Sequence, residues 1–208
     1  MIVDEMPRRA TLASLLWAMG AVCAAAQVIE FESNGLRYQT LTKAGVTVMF
    51  AQLPGVVRDY AILQVQVSNG GTSACVVKPE DFQYQRADGQ VVRGTPAVQV
   101  VNRLIERGSR NDVVRLVSAY EAALYGMSRI LSTNGYEQRR QAALAEVSST
   151  KLKAAAAASA IALVPAKLAP GQSTDGAVFF ATAGKPLGPG RLTVTTPVGL
   201  FEFDPISD

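Results

Sequence analysis

Apolar and polar residues alternate in two stretches of the chain, and a stretch with helical spacing separates them. From residue 36 to residue 92 the period is two, as in a β-strand; in the run 62–67, for example, Gln64 and Gln66 alternate with apolar residues. The same period returns over residues 176–203. The pattern predicts an antiparallel sheet with one buried face and one wet face, to which both stretches contribute strands.

Residues 95–160 have the three- and four-residue spacing of helices instead. Thr95 as N-cap and Pro96 in the first turn predict the start of a helix that ends at Gly108. The apolar stripe of this helix comprises Val98, Val101 and Ile105. Asp112 is the predicted N-cap of a second helix.

A third helix is predicted from about residue 134 into the alanine tract 154–158, because alanine has the highest helix propensity. The amphipathic helices need an apolar surface to cover, and the sheet is the nearest one. The chain is therefore predicted to be mainly β: an antiparallel β-sandwich that carries a two- to three-helix insert at about residues 95–160.

The first 26 residues have the pattern of an export signal: a basic pair, an apolar run and small residues at its end. Ala24 and Ala26 occupy the positions that a signal peptidase reads, which makes Gln27 the first residue of the mature chain. Residues 27–208 then form one domain, large enough to bury a core. No later apolar run is long enough to span a membrane, so we expect a periplasmic or extracellular protein, either free or associated with a membrane.

Two other interpretations of this segment remain open. Its apolar run approaches the length of a membrane span, so the segment could stay uncleaved as an anchor. Acylation of Cys23 would instead make the protein a lipoprotein, although Val22 stands where a small residue is required.

The chain contains no histidine. This absence excludes Ser-His-Asp and Cys-His catalysis and the common zinc and copper sites, so we expect neither an enzyme nor a metal or other cofactor. A hydrolase that uses carboxylates alone is the remaining enzymatic hypothesis, with Glu80, Asp81 and Asp204 as its acidic groups. Neighbours on a strand point to opposite faces, however, and Asp81 after Pro79 is better explained as a turn residue.

Two cysteines are present, and one of them, Cys23, lies in the predicted signal. Cys75 would then be alone in the mature chain, with no partner for an internal disulfide. Its neighbours Val76 and Val77 predict a buried, inert thiol, and a disulfide to a second chain is the alternative.

The predicted helical insert carries an excess of basic residues. Its arginines are Arg103, Arg107, Arg110, Arg115, Arg129, Arg139 and Arg140. Such a surface attracts an acidic protein, an anionic lipid or an anionic wall polymer through long-range electrostatics. We do not expect a nucleic-acid partner, since the chain is predicted to be exported and no aromatic residues are interleaved with the arginines. The alternative is a solvated helix surface without a partner.

Several turn and strand signals in the two β regions resemble a known group of domains. The signals lie at residues 65–70, 79, 81–82, 88–89, 168–171 and 176–180. Among them, Asp88 and Gly89 predict a hairpin with a type I′ turn. The set is similar to the exported immunoglobulin-like, telokin-like domains of bacterial envelope proteins. The resemblance implies an immunoglobulin-like sandwich in the cell envelope and brings no catalytic residues with it.

These observations predict a non-enzymatic envelope protein that binds a protein partner or an anionic surface through its helical insert. A second hypothesis is a protein that binds a small molecule or a peptide. Binding would then use a groove between insert and sheet or, in the manner of a chaperone, an exposed strand edge.

Overall fold

The structure is a computed structural model, and it describes residues 27–116 and 149–206. Several predictions fall outside these ranges. They concern the export signal with its cleavage residues Ala24 and Ala26, the start of the third helix, and Arg129, Arg139 and Arg140. Gln27 is described and is exposed.

The described residues form eleven β-strands. The strands before the helices are β1 (Ile29–Ser33), β2 (Leu36–Lys43), β3 (Val46–Val57), β4 (Tyr60–Asn69), β5 (Cys75–Val77), β6 (Phe82–Arg86) and β7 (Val91–Thr95). The strands after the helices are β8 (Ala166–Leu168), β9 (Ser173–Ala181), β10 (Gly190–Thr196) and β11 (Gly199–Glu202).

Two α-helices are described from end to end: α1 (Ala97–Arg107) and α2 (Thr150–Ile161). A further helical segment covers residues 110–116, and the short 3₁₀ turn Pro79–Asp81 precedes β6. Both complete helices lie within the predicted insert, and the alanine tract is helical as predicted.

Nine strands form one antiparallel sheet in the order β1-β2-β3-β4-β9-β7-β6-β10-β11, and β5 pairs with β8 separately. The sheet curls into a half-barrel, so that its two ends approach each other. The rings of Phe50 and Phe203 meet edge to face with centroids 4.9 Å apart, and Lys43 Nζ donates to the carbonyl oxygen of Leu200 at 2.6 Å. The prediction of a mainly β, antiparallel fold with strands from both stretches is therefore confirmed.

Two groups of buried side chains hold the fold together. The inner core fills the concave side of the half-barrel and includes Val48, Phe50, Leu63, Val65, Phe180, Leu192 and Phe203. The outer core lies between the convex side and the helices and includes Tyr38, Ile62, Val100, Leu104, Ala158 and Phe179. Strands β4 and β9 contribute to both cores, because neighbouring residues of a strand point to opposite faces.

The prediction of one wet face is wrong for β4. Gln64 is 0% exposed and Gln66 is 3% exposed, although the alternation had suggested that they face water. Ile62 lies two residues before Gln64 and therefore on the same face of β4. Because Ile62 belongs to the outer core, the outer core covers this face. The helices that bury this face come from a distant part of the chain, which the local pattern does not reveal.

Helix α1 begins and packs differently from the prediction. Thr95 is the last residue of β7, and Pro96 occupies the N-cap position without a side-chain cap. Val98 is exposed, whereas Val100 and Leu104 are fully buried. Two apolar stripes with the same spacing interleave on this helix, and the spacing alone does not tell which one faces the sheet. The helix ends at Gly108 as predicted.

The helical segment 110–116 begins after Ser109, its N-cap, to which the side chain of the third helical residue reaches back. Asp112 occupies the third helical position, and its Oδ2 accepts hydrogen bonds from the backbone N–H of Ser109 at 2.7 Å and from Ser109 Oγ at 2.7 Å. The prediction of Asp112 as the N-cap was therefore wrong by three positions, although the carboxylate does stabilise the helix start.

The predicted hairpin at Asp88 and Gly89 is present between β6 and β7, but its turn is not of type I′. The N–H of Gly89 donates to the carbonyl of Arg86 and only Gly89 of the pair has a positive φ, +84°. Asp88 Oδ1 accepts from the N–H of Gln90 at 2.9 Å. These contacts describe a three-residue loop, a type I turn followed by a glycine in the left-handed region.

Candidate ligand pocket

Two of the predicted interaction arginines are used inside the protein. Arg103 contacts the carboxylate of Asp59 through Nε at 3.1 Å and Nη2 at 3.0 Å. Arg115 Nη1 donates to the carbonyl oxygen of Val56 at 3.0 Å. Both contacts hold helices against the hairpin between β3 and β4, so these two side chains have a structural role.

In a second ion pair at this hairpin, the arginine belongs to the hairpin and the carboxylate to the helical layer. Arg58, in the turn between β3 and β4, donates through Nε to Asp112 Oδ2 at 2.8 Å. The Asp112 side chain is largely buried. One carboxylate thus joins the hairpin to the start of the segment 110–116, which fixes the helical layer at this corner.

Arg107 and Arg110 are the predicted interaction residues that stay exposed with neither an ion pair nor a side-chain hydrogen bond within the described part of the chain. They flank Gly108, where α1 ends and the next helical segment begins. Val98 and Ile105 of α1 are exposed apolar residues, at 68% and 42%. The described surface of the helical layer therefore includes both positive charge and apolar side chains.

A cavity of about 360 Å³ opens at one end of the half-barrel. We call it the mouth pocket. Its apolar walls are Leu36, Phe50, Leu53, Pro54, Pro186 and Ile206. Its polar walls are Arg37, Gln39 and Gln52, and Gly35, Gly55 and Gly188 complete it. Strands β2 and β3 and the segments before and after β10 and β11 thus meet around one space.

The mouth pocket exists because β3 is irregular at this point. The ladder between β2 and β3 ends at the pair Tyr38 and Ala51, and the register of β3 against β4 shifts between Gln52 and Val56. Pro54 has no N–H to donate to a ladder, and proline inside a strand is confined to edges and bulges. Strands β2 and β3 are therefore no longer paired beyond Tyr38 and Ala51, and the space beside them stays open.

Gln39, which lines this pocket, carries a buried acceptor. The side chain is buried, with 3% of its residue surface exposed, and no hydrogen bond from the described residues reaches its Oε1. Its Nε2 donates to Glu30 Oε1. A carboxylate only accepts, so this contact fixes the orientation of the amide, and Oε1 is the atom that lacks a partner among the described residues. A hydrogen-bond donor that enters the pocket wall beside Gln39 would satisfy this atom.

A second, shallower groove runs along α1. Its walls include Asp59, Tyr60, Gln99, Asn102 and Glu106, and its volume is about 720 Å³. Burial raises the pKa of Tyr60, while Arg103 lowers it and Asp59 raises it further. No buried polar group without a partner lies among these walls, so we prefer the mouth pocket as the candidate site.

Of the acidic residues of the hydrolase hypothesis, Asp81 is used within the turn Pro79–Asp81. Its Oδ2 accepts from the N–H of Lys78 at 3.0 Å and closes the 3₁₀ turn, as expected of a turn residue. Burial raises the pKa of Asp81, the hydrogen bond and charge of Lys78 lower it, and the charge of Glu80 raises it further.

Cys75 is free and buried, as predicted. Burial raises the pKa of its thiol, and the nearby negative charge of Asp81 raises it further. In the ranges 27–116 and 149–206, no three acidic or cysteine side chains come close enough to share a metal ion. The helices in those ranges include none with the length and apolar character needed to cross a membrane.

No family model matches the chain, and no curated protein matches it. Among solved structures, the yjhA protein from Bacillus subtilis is similar over 80% of this chain and 77% of its own length. The sequence identity is 10% and the TM-score is 0.32. A similarity at this level carries no argument about function.

The prediction from the sequence did not include the mouth pocket. One signal was visible: Leu53, Pro54 and Gly55 interrupt a strand-like run, which is typical of a bulge. The opposite wall comes from residues 186–206, and their proximity follows only from the curl of the sheet.

Proposed function

We propose that this protein is a non-enzymatic binding protein of the cell envelope and that it holds a small amphipathic molecule in the mouth pocket. One observation carries the proposal: a cavity of ligand size is lined by Gln39, whose buried Oε1 has no partner among the described residues. Leaving such a group unsatisfied costs about 1–3 kcal/mol, so it is retained where a ligand supplies the missing bond.

The walls of the pocket define the ligand. A volume of about 360 Å³ is within the usual range for small-molecule sites. Leu36, Phe50 and Ile206 would surround an apolar chain, and Gln39 would accept from an N–H or O–H group at its head. Arg37 is exposed at the rim, where it would meet solvent.

The sequence supports the rest of the proposal. The export pattern of residues 1–26 favours a location outside the cytoplasm, and the lack of histidine favours a role without catalysis. The similarity of the turn signals to telokin-like domains favours an immunoglobulin-like relationship for the curled sheet, and it agrees with an envelope location.

A matched pair of ligands tests the proposal. Hexanamide carries an N–H donor, whereas methyl hexanoate has a similar shape and no donor. The purified protein should bind the amide about tenfold or more tightly than the ester, because only the amide satisfies Gln39. Isothermal titration calorimetry measures both affinities.

The exchange Gln39→Leu provides the control. It removes the acceptor and should abolish the preference for the amide, whereas Gln85→Leu, at an exposed position of β6, should leave it unchanged. Equal binding of the two ligands by the wild-type protein, or no binding of either, would contradict the proposal.

A second candidate function is binding of an acidic partner or anionic surface through Arg107 and Arg110. The observation in its favour is that both arginines are exposed and have no ion pair within the described part of the chain. The double exchange Arg107→Ala/Arg110→Ala should reduce sedimentation with phosphatidylglycerol vesicles at low salt. The exchange Arg191→Ala, at an exposed position of β10, serves as the control. It removes one positive charge from a different surface and should change sedimentation little. Unchanged sedimentation of the double variant would remove this candidate.

A further inference from the structure

The convex face of the sheet contains two buried glutamines on one strand, Gln64 and Gln66 of β4, which we call the amide row. Both point to the side of Ile62, toward the outer core. Gln64 stands between Ala51 of β3 and Ala177 of β9 in the register of the sheet. Gln39 of the mouth pocket points to the opposite face of the sheet, so the polar atoms of the two sites are separate.

The amide row lacks the hydrogen bonds that buried amides normally make. Among the described residues, neither Nε2 nor Oε1 of Gln64 has a partner, and Oε1 of Gln66 has none either. Both side chains are more than nine-tenths buried. Most buried polar side-chain atoms in proteins are hydrogen-bonded, so three such atoms on one face of one strand make this face a candidate binding site.

The required ligand must both donate and accept. Each Oε1 needs a donor, and Gln64 Nε2 needs an acceptor. An apolar ligand satisfies none of these atoms, and an anion such as phosphate satisfies only the Nε2 group. A peptide backbone presents N–H and C=O groups together, which matches an amide side chain atom for atom.

The spacing of the row also fits an extended peptide. Residues two apart on one strand are separated by about 6.8 Å, which is also the repeat between equivalent backbone groups of an extended chain. Ala51 and Ala177 flank Gln64 with methyl groups only, so they leave room for a backbone close to the sheet.

Helix α2 belongs to the cover of this face. Its buried residues are Ala154, Ala155, Ala157, Ala158, Ala160 and Ile161. Alanine buries little apolar area, so its separation from the sheet costs less than that of a leucine-rich helix. The end of α2 remains attached to β9, since the N–H of Leu163 donates to the carbonyl oxygen of Ala177 at 2.9 Å. The start of α2, at Ser149, has no side-chain cap.

We propose that the amide row is a binding site for the backbone of an extended peptide, which takes the place of α2 over Gln64 and Gln66. The site goes beyond the small-molecule function of the mouth pocket and does not depend on it. In the ligand-free protein α2 covers the row at the cost of unsatisfied amides, and a bound peptide supplies their hydrogen bonds.

The experiment uses the capped hexapeptide acetyl-(Val-Thr)₃-amide, whose β-branched residues favour an extended backbone. Calorimetry should show binding to the wild-type chain and at least a tenfold loss of affinity in the variant Gln64→Met/Gln66→Met. The same variant without peptide should have a higher Tm, by about 2–4 °C or more, because methionine replaces an unsatisfied amide without a cavity. The single exchange Gln64→Met should show both effects in smaller measure.

Two controls separate this site from others. Gln85→Met, at an exposed position of the sheet, should change neither affinity nor Tm, and Gln39→Leu should leave peptide binding intact. Hydrogen exchange of the α2 amides should become faster when the peptide binds. The proposal is overturned by absence of binding to the wild-type chain, by equal binding to the double variant, or by a lower Tm of that variant, which would show that the amides are satisfied structurally.

Discussion

The two halves of the sheet are buried to different extents. Strands β4 and β9 are buried on both faces, because the inner core covers one side and the outer core covers the other. Strands β6 and β10 are buried on alternate residues only, as expected for a sheet with one face in water. Alternation in a sequence therefore reports exposure in β6 and β10, whereas in β4 and β9 it reports only which core a residue joins.

The largest effect should come from the place where the halves join. Gly94 of β7 pairs with Phe180 of β9, and a Cβ at Gly94 would lie 2.1 Å from the carbonyl oxygen of Pro79 and 2.7 Å from Val178 Cγ1. The exchange Gly94→Ala forces the backbone apart at this junction. We expect a loss of about 4 kcal/mol or more, or failure to fold, as measured by urea unfolding.

Gly35→Ala is the matched control for this exchange. Gly35 has φ +73°, but no atom lies within 4 Å of an added Cβ. The loss of stability should be limited to about 1–2 kcal/mol, the cost of placing a residue with a Cβ in the left-handed region. If Gly94→Ala costs no more than Gly35→Ala, the junction between the halves is not as tightly packed as described.

Truncations on β9 and β10 test the difference in burial directly. Phe179 belongs to the outer core and Phe180 to the inner core, and each is at most 1% exposed. Phe179→Ala and Phe180→Ala should each cost about 3–5 kcal/mol, although the residues are adjacent. On β10, Val194→Ala should be costly, but its exposed neighbour Thr195→Ala should cost less than about 0.5 kcal/mol.

Chemical denaturation of all four variants gives the comparison. A small effect of Phe179→Ala beside a large effect of Phe180→Ala would mean that the outer core adds little to stability. Strands β4 and β9 would then depend on the inner core alone for their stability, as β6 and β10 do.

A smaller effect is expected at the corner that attaches the helical layer. Asp112→Ala removes the capping bond to Ser109 and the ion pair with Arg58. We expect a loss of about 1–2 kcal/mol, mainly from the cap, because Arg58 is partly exposed and its ion pair is screened by water. Arg58→Ala alone should cost less, and a larger cost for Arg58→Ala than for Asp112→Ala would contradict the role of the Asp112 carboxylate in stabilising the helix start at Ser109.

The sequence predicted the inner core better than the outer one. Leu63, Val65 and Val67 were expected on a buried face, and they are in the inner core. The burial of Gln64 and the choice of Leu104 over Ile105 depend on how helices dock, which involves residues far apart in the chain. The hairpin at Asn34 and Gly35, both with positive φ, carries the strongest short hairpin signal and would have placed β1.

The candidate sites were harder to predict for the same reason. Arg103 and Arg115 were grouped with a basic surface, but their partners Asp59 and Val56 precede them by more than forty residues. Gln39 shows no signal of its own in the sequence. Its importance follows from a cavity that several distant segments build, and from the carboxylate of Glu30 that fixes its amide.

We expect the smallest effect in an experiment that measures the reactivity of Cys75 as a reporter of the inner core. Its thiol is buried there, so it should react slowly with a disulfide reagent until the inner core opens. Leu104→Ala weakens the outer core, whereas Leu192→Ala weakens the inner one. If the two cores open separately, only Leu192→Ala should accelerate the reaction strongly beyond its effect on global stability.

The pH dependence of stability checks the same thiol without a reagent. Burial and the charge of Asp81 raise the pKa of Cys75 in the folded protein, so the unfolded chain loses the thiol proton first as pH rises. Stability from this group is complete below the pKa of the unfolded thiol, about 8.5, and declines from there toward the folded pKa. Burial raises the pKa of Tyr38 and Tyr60 also, and their contribution has the same sign. The difference between wild type and Cys75→Ala therefore isolates the thiol: the variant should lose stability less steeply above this pH, and parallel curves would mean that Cys75 reaches solvent in the folded state.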